Sequence, residues 1–201
     1  MKMHLSGEWV SRDKVQEVIN PYDNSVIDTV PSASIEDVSV AVKSAERGFE
    51  AMKSLNSHDR YTFLMKAAEL IEARKEDLAR TITLEEGKVI SEGRMEVDRC
   101  KQTIIVSAEE AKRLQSEVLP LDAAPGNAGK FGFTLRVPVG IVAAISPFNF
   151  PLNLVAHKIG PALAAGNSVI GYDFNAWAHN SLSSNGLDVD NGAYAKVTGW
   201  L

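Results

Sequence analysis

Apolar residues recur along this chain with two different periods, and the switch between them divides it. Residues 3–30 are short alternating runs, Met3–Val10, Val15–Ile19 and Val26–Val30, with Asn20-Pro-Tyr-Asp-Asn24 turning the last two into a hairpin-like layout. Helical spacing then takes over. Ser34 with Asp37 three residues on is a capping box, followed by Val38, Ala41, Val42, Ala45, Phe49 and Met52 on one face. A second helix is predicted from Ser57 to Gly87 through Tyr61, Leu64, Met65, Ala68, Ile71, Leu78 and Ile82. A third is predicted over roughly Ser91 to Val118, with Val97, Cys100, Ile104, Ala108, Ala111 and Leu114 on one stripe, stopping before Pro120. These three amphipathic helices make a helical layer.

Leu121 to Lys130 reads as a loop and as the internal boundary. Beyond it Phe131, Phe133, Leu135 and Val137 alternate as in a half-buried strand, whereas Val139–Ile145 is an unbroken apolar run, the pattern of a strand covered on both faces. Pro151 fits the first turn of a helix running to about Ala165, Gly166-Asn167 closes that helix, and Ser168–Ile170 is a further strand. Strand, helix, strand is a βαβ unit, so the class is α/β. Past Ile170 no clean period survives among Gly, Ser, Asn and scattered aromatics. Three regions are therefore expected: 1–120 with the N-terminal strands and helical layer, 121–170 opening an α/β unit, and a divergent tail over 171–201.

Composition narrows the function class. A net charge of −5 with no Lys/Arg-rich run favours neither nucleic acid nor an anionic membrane surface as partner. The sequence shows no signal-peptide core and no stretch of about 18–20 uncharged apolar residues. With Cys100 the lone cysteine, an intrachain disulfide is ruled out and a cytoplasmic location is expected. Cys100 falls on an apolar helix stripe and reads as a small buried hydrophobe rather than a nucleophile. His4, His58, His157 and His179 have no i,i+4 pairing, so no metal site is expected. Glu85 and Glu86 read as a solvated helix end.

The chemistry concentrates in Ile145-Ser-Pro-Phe-Asn-Phe-Pro151, at the carboxyl end of the expected buried strand, where ligands of open α/β sheets bind. Asn149 there could donate to a developing oxyanion or simply cap the following helix, and spacing alone leaves both open. Arg136-Val-Pro-Val-Gly-Ile-Val-Ala-Ala-Ile-Ser-Pro-Phe-Asn-Phe-Pro-Leu152, continuing through His157-Lys-Ile159 to Pro161-Ala-Leu-Ala-Ala-Gly-Asn167, resembles the NAD(P)-dependent aldehyde dehydrogenase superfamily nearly position for position. Gly7-Glu-Trp-Val10, Ile19-Asn-Pro21 and Glu85-Glu-Gly-Lys88 extend the resemblance, which covers residues 3–170. It implies a truncated aldehyde dehydrogenase fold, in which oligomerisation-type strands and a helical layer lead into the start of a Rossmann-like parallel sheet.

The resemblance also implies a reaction: an aldehyde is oxidised to a carboxylic acid with NAD or NADP through a cysteine thiohemiacetal. It makes Asn149 the oxyanion-hole residue, sets Ile145, Ser146, Pro147 and Phe148 against the nicotinamide side of the cofactor cleft, and puts Phe150, Asn153 and Leu154 on the substrate tunnel. A small aldehyde substrate and a homo-oligomeric state follow in the same way, and Asn153 leans the substrate toward small polar or short-chain aldehydes. The departures count too. Gly171-Tyr172 stands where the family has a ribose-binding Lys-Pro, and the pyrophosphate turn, general base and nucleophilic cysteine are missing. The chain alone is therefore expected to be inactive. Two rival readings are a non-catalytic remnant acting as an oligomerisation or interaction module, and a small-ligand module keeping half a nucleotide cleft.

Overall fold

The computed structural model describes residues 1–173, with side chains described through Gly171. The reading of 171–201 as a divergent tail therefore lies almost wholly outside the described residues. The first expected strand, Met3–Val10, is instead a hairpin of β1 (Met3–Leu5) and β2 (Glu8–Val10), with Met3 opposite Val10. Ser6 and Gly7 both take positive φ, 53° and 89°, which a two-residue turn between right-twisted strands requires. Antiparallel β3 (Val15–Ile19) and β4 (Val26–Pro31) follow as expected, joined through Asn20, whose Oδ1 accepts from the Tyr22 N–H.

Helix α1 (Ile35–Ser54) starts at the full Ser34/Asp37 capping box, and Arg12 from the β2–β3 connection donates to the Asp37 carboxylate at 3.0 Å. The expected second helix is two: α2 (Ser57–Ala73) and α3 (Lys75–Glu86) meet at Arg74, whose φ of −108° and ψ of 18° leave the helical region. Nothing in the sequence marks that joint, because the apolar spacing runs straight through it and neither Gly nor Pro interrupts. Gly87, at φ +74°, ends α3 in the left-handed conformation.

Helix α4 (Ile90–Ala111) ends seven residues earlier than its apolar stripe predicted, by the count from Ala111 to Val118. Thr134 donates its N–H to the Glu117 carbonyl at 2.8 Å and β5 (Val118–Leu119) pairs antiparallel with β6 (Gly132–Phe133), so tertiary pairing overrides the local helix preference. Of the alternating run 131–137, only β6 is a strand, and Phe131, Leu135 and Val137 stand exposed.

The parallel pair is β7 (Ile141–Ser146) and β8 (Ser168–Asp173), joined by α5 (Asn153–Ala164). One expectation fails here: β7 is not covered on both faces, since Ile141 and Ile145 are 38% and 54% exposed while Ala144 and Ser146 are buried. Its inner face lies against α5, and on the outer face α1 packs mainly on β8 and touches β7 only at its margin, leaving Ile141 and Ile145 largely uncovered among the described residues. The α5–β8 junction is built by Gly166 at φ +83° and by the buried Asn167, whose Oδ1 accepts from the Gly140 N–H at 2.9 Å while its Nδ2 donates to the Ala162 carbonyl at 3.1 Å. Ser168 Oγ ties β8 to α1 by donating to the Ala45 carbonyl at 2.8 Å.

One core runs through α2, α3, α4 and α5, around Leu64, Ala68, Ile71, Ile82, Val97, Cys100 and Ile104. Its helices approach closely. A Cβ on Gly93 would lie 2.7 Å from the Ala79 carbonyl oxygen, and one on Gly160 would lie 2.6 Å from Ser107 Oγ. A smaller cluster of Met3, Leu5 and Ala41 seats the N-terminal hairpin on α1. Among the described residues no helix is long and apolar enough to cross a membrane.

Candidate active site

The turn from Ser146 to Asn153 leaves the carboxyl end of β7 and enters α5. Asn149 is exposed at its tip. Its side chain does not cap the helix: the N-cap position is Leu152, with no side-chain cap, and the first helical N–H groups are satisfied from another element. Glu96, on α4 and 1% exposed, accepts from the backbone N–H of both Leu152 and Asn153 through Oε1, at 2.9 and 3.2 Å. Of the two readings spacing left open, capping is thus removed, and among the described residues no hydrogen bond engages the Asn149 side-chain amide.

The second Glu96 oxygen accepts from Lys88 Nζ at 3.1 Å. Lys88 also donates to the Asn149 backbone carbonyl at 2.7 Å, pairs with Glu86 Oε2 at 2.8 Å and lies 4.1 Å above the Phe150 ring centroid. Burial works against the Lys88 ammonium, but hydrogen bonds to Glu86 and Glu96 outweigh it and its pKa rises above the usual lysine value. The ammonium and its ion pairs therefore persist to higher pH than for a free lysine and are lost as pH rises through the raised value. Glu86, expected in solvent, has a side chain only 6% exposed, because Gly87 reverses α3 and folds Lys88 back over it.

The remaining sequence-derived residues are distributed unevenly. Ile145 and Pro147 are exposed, Phe148 and Phe150 half-buried, and Ser146 buried with Oγ 3.4 Å from the Leu154 carbonyl. Asn153 turns inward, where its Oδ1 accepts from Thr103 Oγ1 at 2.9 Å; Leu154 is half-buried beside it. Cys100 is buried 2% exposed in the α4 stripe, its thiol pushed up to about 12 by burial and by the Glu96 charge.

Sequence reasoning missed Glu96 and the role of Lys88. The signal was present for Glu96: Gly93, Glu96, Val97, Cys100 and Ile104 share one i, i+3, i+4 stripe, so its carboxylate was bound to face the core and to need donors there.

Comparison with known proteins agrees with the fold. The aldehyde dehydrogenase family model matches residues 9–171. The chain is 47% identical over 169 residues to a 3-sulfolactaldehyde dehydrogenase of Priestia megaterium, and 43% identical over 168 residues to a lactaldehyde dehydrogenase of Methanocaldococcus jannaschii. Each match covers 84% of this chain and 35% of the relative. Among solved structures it resembles aldehyde dehydrogenase 21 of Physcomitrella patens in complex with the product succinate, with a TM-score of 0.83 and 37% identity over 87% of this chain and 37% of that one. It also resembles glyceraldehyde-3-phosphate dehydrogenase GapN of M. jannaschii complexed with NADP, with a TM-score of 0.74 and 41% identity over 82% and 34%. The chain belongs to the aldehyde dehydrogenase family. It spans about 35% of the length of these curated relatives.

Proposed function

We propose that this chain forms the oxyanion-holding part of a dehydrogenase that oxidises a small polar aldehyde to its acid. Residues 1–120 then form the strands and helical layer, and 121–170 open the dinucleotide-binding unit. The observation that carries the reading is the exposed Asn149 on a turn fixed at the carboxyl end of β7. A side-chain amide held there stabilises negative charge on the aldehyde oxygen as a nucleophile adds, a role worth about 3–4 kcal/mol.

NAD or NADP would accept the hydride from the aldehyde carbon. The residues fit one end of such a cofactor and not the other. Ile145 and Pro147 offer an exposed apolar edge against which a nicotinamide ring can lie. The α5 N-terminus, which in many nucleotide folds receives phosphate, is already filled by the Glu96 carboxylate, so a pyrophosphate would have to be held by other residues.

The lean toward small polar aldehydes rests on the lactaldehyde and sulfolactaldehyde relatives, since Asn153 is engaged with Thr103. Cys100 does not supply the thiolate, and these 201 residues alone are expected to show no turnover above a Cys100→Ala control. The test is a chimera in which residues 1–170 replace the matching segment of the P. megaterium enzyme. We expect NAD-linked activity that falls about 10²–10³-fold in kcat with Asn149→Ala. Activity indifferent to that substitution overturns the reading.

A second role, self-association, is favoured by the apolar surface at Val118, Phe131, Phe133, Leu135, Val137 and Val139, each more than half exposed. Sedimentation of a Phe133→Ser/Leu135→Ser variant tests it: a smaller species than the unmodified chain is expected.

A further inference from the structure

Thr103 holds the Asn153 side chain, while the backbone groups of Asn149, Leu152 and Asn153 are held by one pair of residues. Glu96 holds the N–H groups of Leu152 and Asn153; Lys88 holds the carbonyl of Asn149 and covers the ring of Phe150; and the two side chains bind each other at 3.1 Å. Each is itself fixed from behind. Glu96 sits on α4 one turn from Gly93, whose missing Cβ lets α4 close onto the α3 backbone. Lys88 directly follows the left-handed Gly87 that ends α3, and its Nζ is anchored a second time on Glu86.

A neutral pair would serve less well. Leu152 and Asn153 N–H groups carry the positive end of the α5 dipole, so a carboxylate there gains from both hydrogen bonds and field. That carboxylate is buried and needs a counter-charge, and Lys88 supplies it while spending its remaining donor on the Asn149 carbonyl. Helix entry and turn tip are thereby linked through two side chains that touch no reacting atom.

We propose that Lys88 and Glu96 are positioning residues, a buried charge clamp that sets where Asn149 presents its side-chain amide. The consequence builds on the oxyanion reading of Asn149, but the clamp can be tested without it. Lys88→Met removes the donor to the Asn149 carbonyl and leaves Glu96 on the helix; Lys88→Arg keeps the charge and serves as the conservative rescue. Glu96→Gln is a harsher companion.

The test is peptide-resolved hydrogen exchange on the full 201-residue chain, with the Asn149 side-chain amide resonance as a second readout, assigned by its loss in Asn149→Ala. Lys88→Met should raise exchange across residues 148–154 by about tenfold, shift or broaden the Asn149 amide, and leave the buried α2 and α4 amides protected; Lys88→Arg should recover most of both. Uniformly raised exchange in all helices would make Lys88 a general stabiliser and overturn the clamp, as would an unmoved Asn149 amide. If instead the clamp behaves as stated while the chimera ignores Asn149→Ala, the oxyanion reading fails and the clamp stands.

Discussion

The helical layer and the β7–β8 pair are both strongly apolar, yet among the described residues only the first buries its apolar surface on every side that carries it. In α2, α3 and α4 the apolar stripes meet one another and α5, leaving Leu64 and Val97 at 1% exposure. In β7 one face meets α5 while Ile141 and Ile145 stay open to solvent. In the layer α4 packs against α2, α3 and α5 and so closes the core from all of them, whereas a parallel sheet needs cover on both faces and neighbours at its edges. The difference teaches that, among the described residues, the layer buries its own apolar stripes while the sheet keeps an apolar face open.

Four measurements would break or sharpen that contrast. The largest effect should be on Cys100, inside the helical layer. With its thiol raised from 9.0 to about 12, the reactive thiolate at a given neutral pH is about a thousandfold scarcer than in the unfolded chain. A thiol reagent should label the native protein slowly and the denatured protein fast, and equal rates would mean that the α4 stripe is open.

Next, Gly93→Ala should cost about 1–3 kcal/mol in a denaturant melt, because the added methyl would lie 2.7 Å from a backbone oxygen that cannot rotate away. A neutral or stabilising result would show that α3 and α4 are not locked.

Asp37→Ala should cost about 1–2 kcal/mol by removing both the capping-box acceptor and the Arg12 partner. The Arg12 guanidinium, helped by the Ser34 N–H, holds the Asp37 carboxyl below its usual range. A depressed carboxylate stabilises the fold above the ordinary carboxylate pKa, and that contribution is lost as pH falls through its folded value. The variant should therefore differ most from the parent near neutrality and converge with it in strong acid.

Smallest in stability is Ile145→Thr, on the open face of β7, which should change the melt by less than about 0.5 kcal/mol while reducing hydrophobic-dye binding. A large loss of stability would mean that the face is covered in solution.

What sequence could tell follows the same line. Helix faces, the capping box at Ser34 and the βαβ order were legible because each depends on spacing within one segment. The break at Arg74 was invisible because one residue leaves the helix while the apolar period continues across it. The early end of α4 and the split of Met3–Val10 were set by pairing partners, Thr134 in one case and a tight Ser6-Gly7 reversal in the other. At the site, Asn149 could be found from its motif, but its freedom could not: that depends on Glu96, 53 residues earlier, taking the donors Asn149 would otherwise cap.

The buried junction at Asn167 has a consequence for chemical ageing. Asn167 precedes Ser168, and deamidation requires the Ser168 backbone nitrogen to swing onto the Asn167 side-chain carbonyl carbon. In the fold, that nitrogen donates to the Gly140 carbonyl at 3.1 Å and the amide is held at both its oxygen and its nitrogen, so the cyclic imide cannot form without opening the α5–β8 junction. The rate of isoaspartate appearance at position 167 on storage would thus serve as a slow clock for local unfolding of the sheet, read long after the opening events themselves have closed.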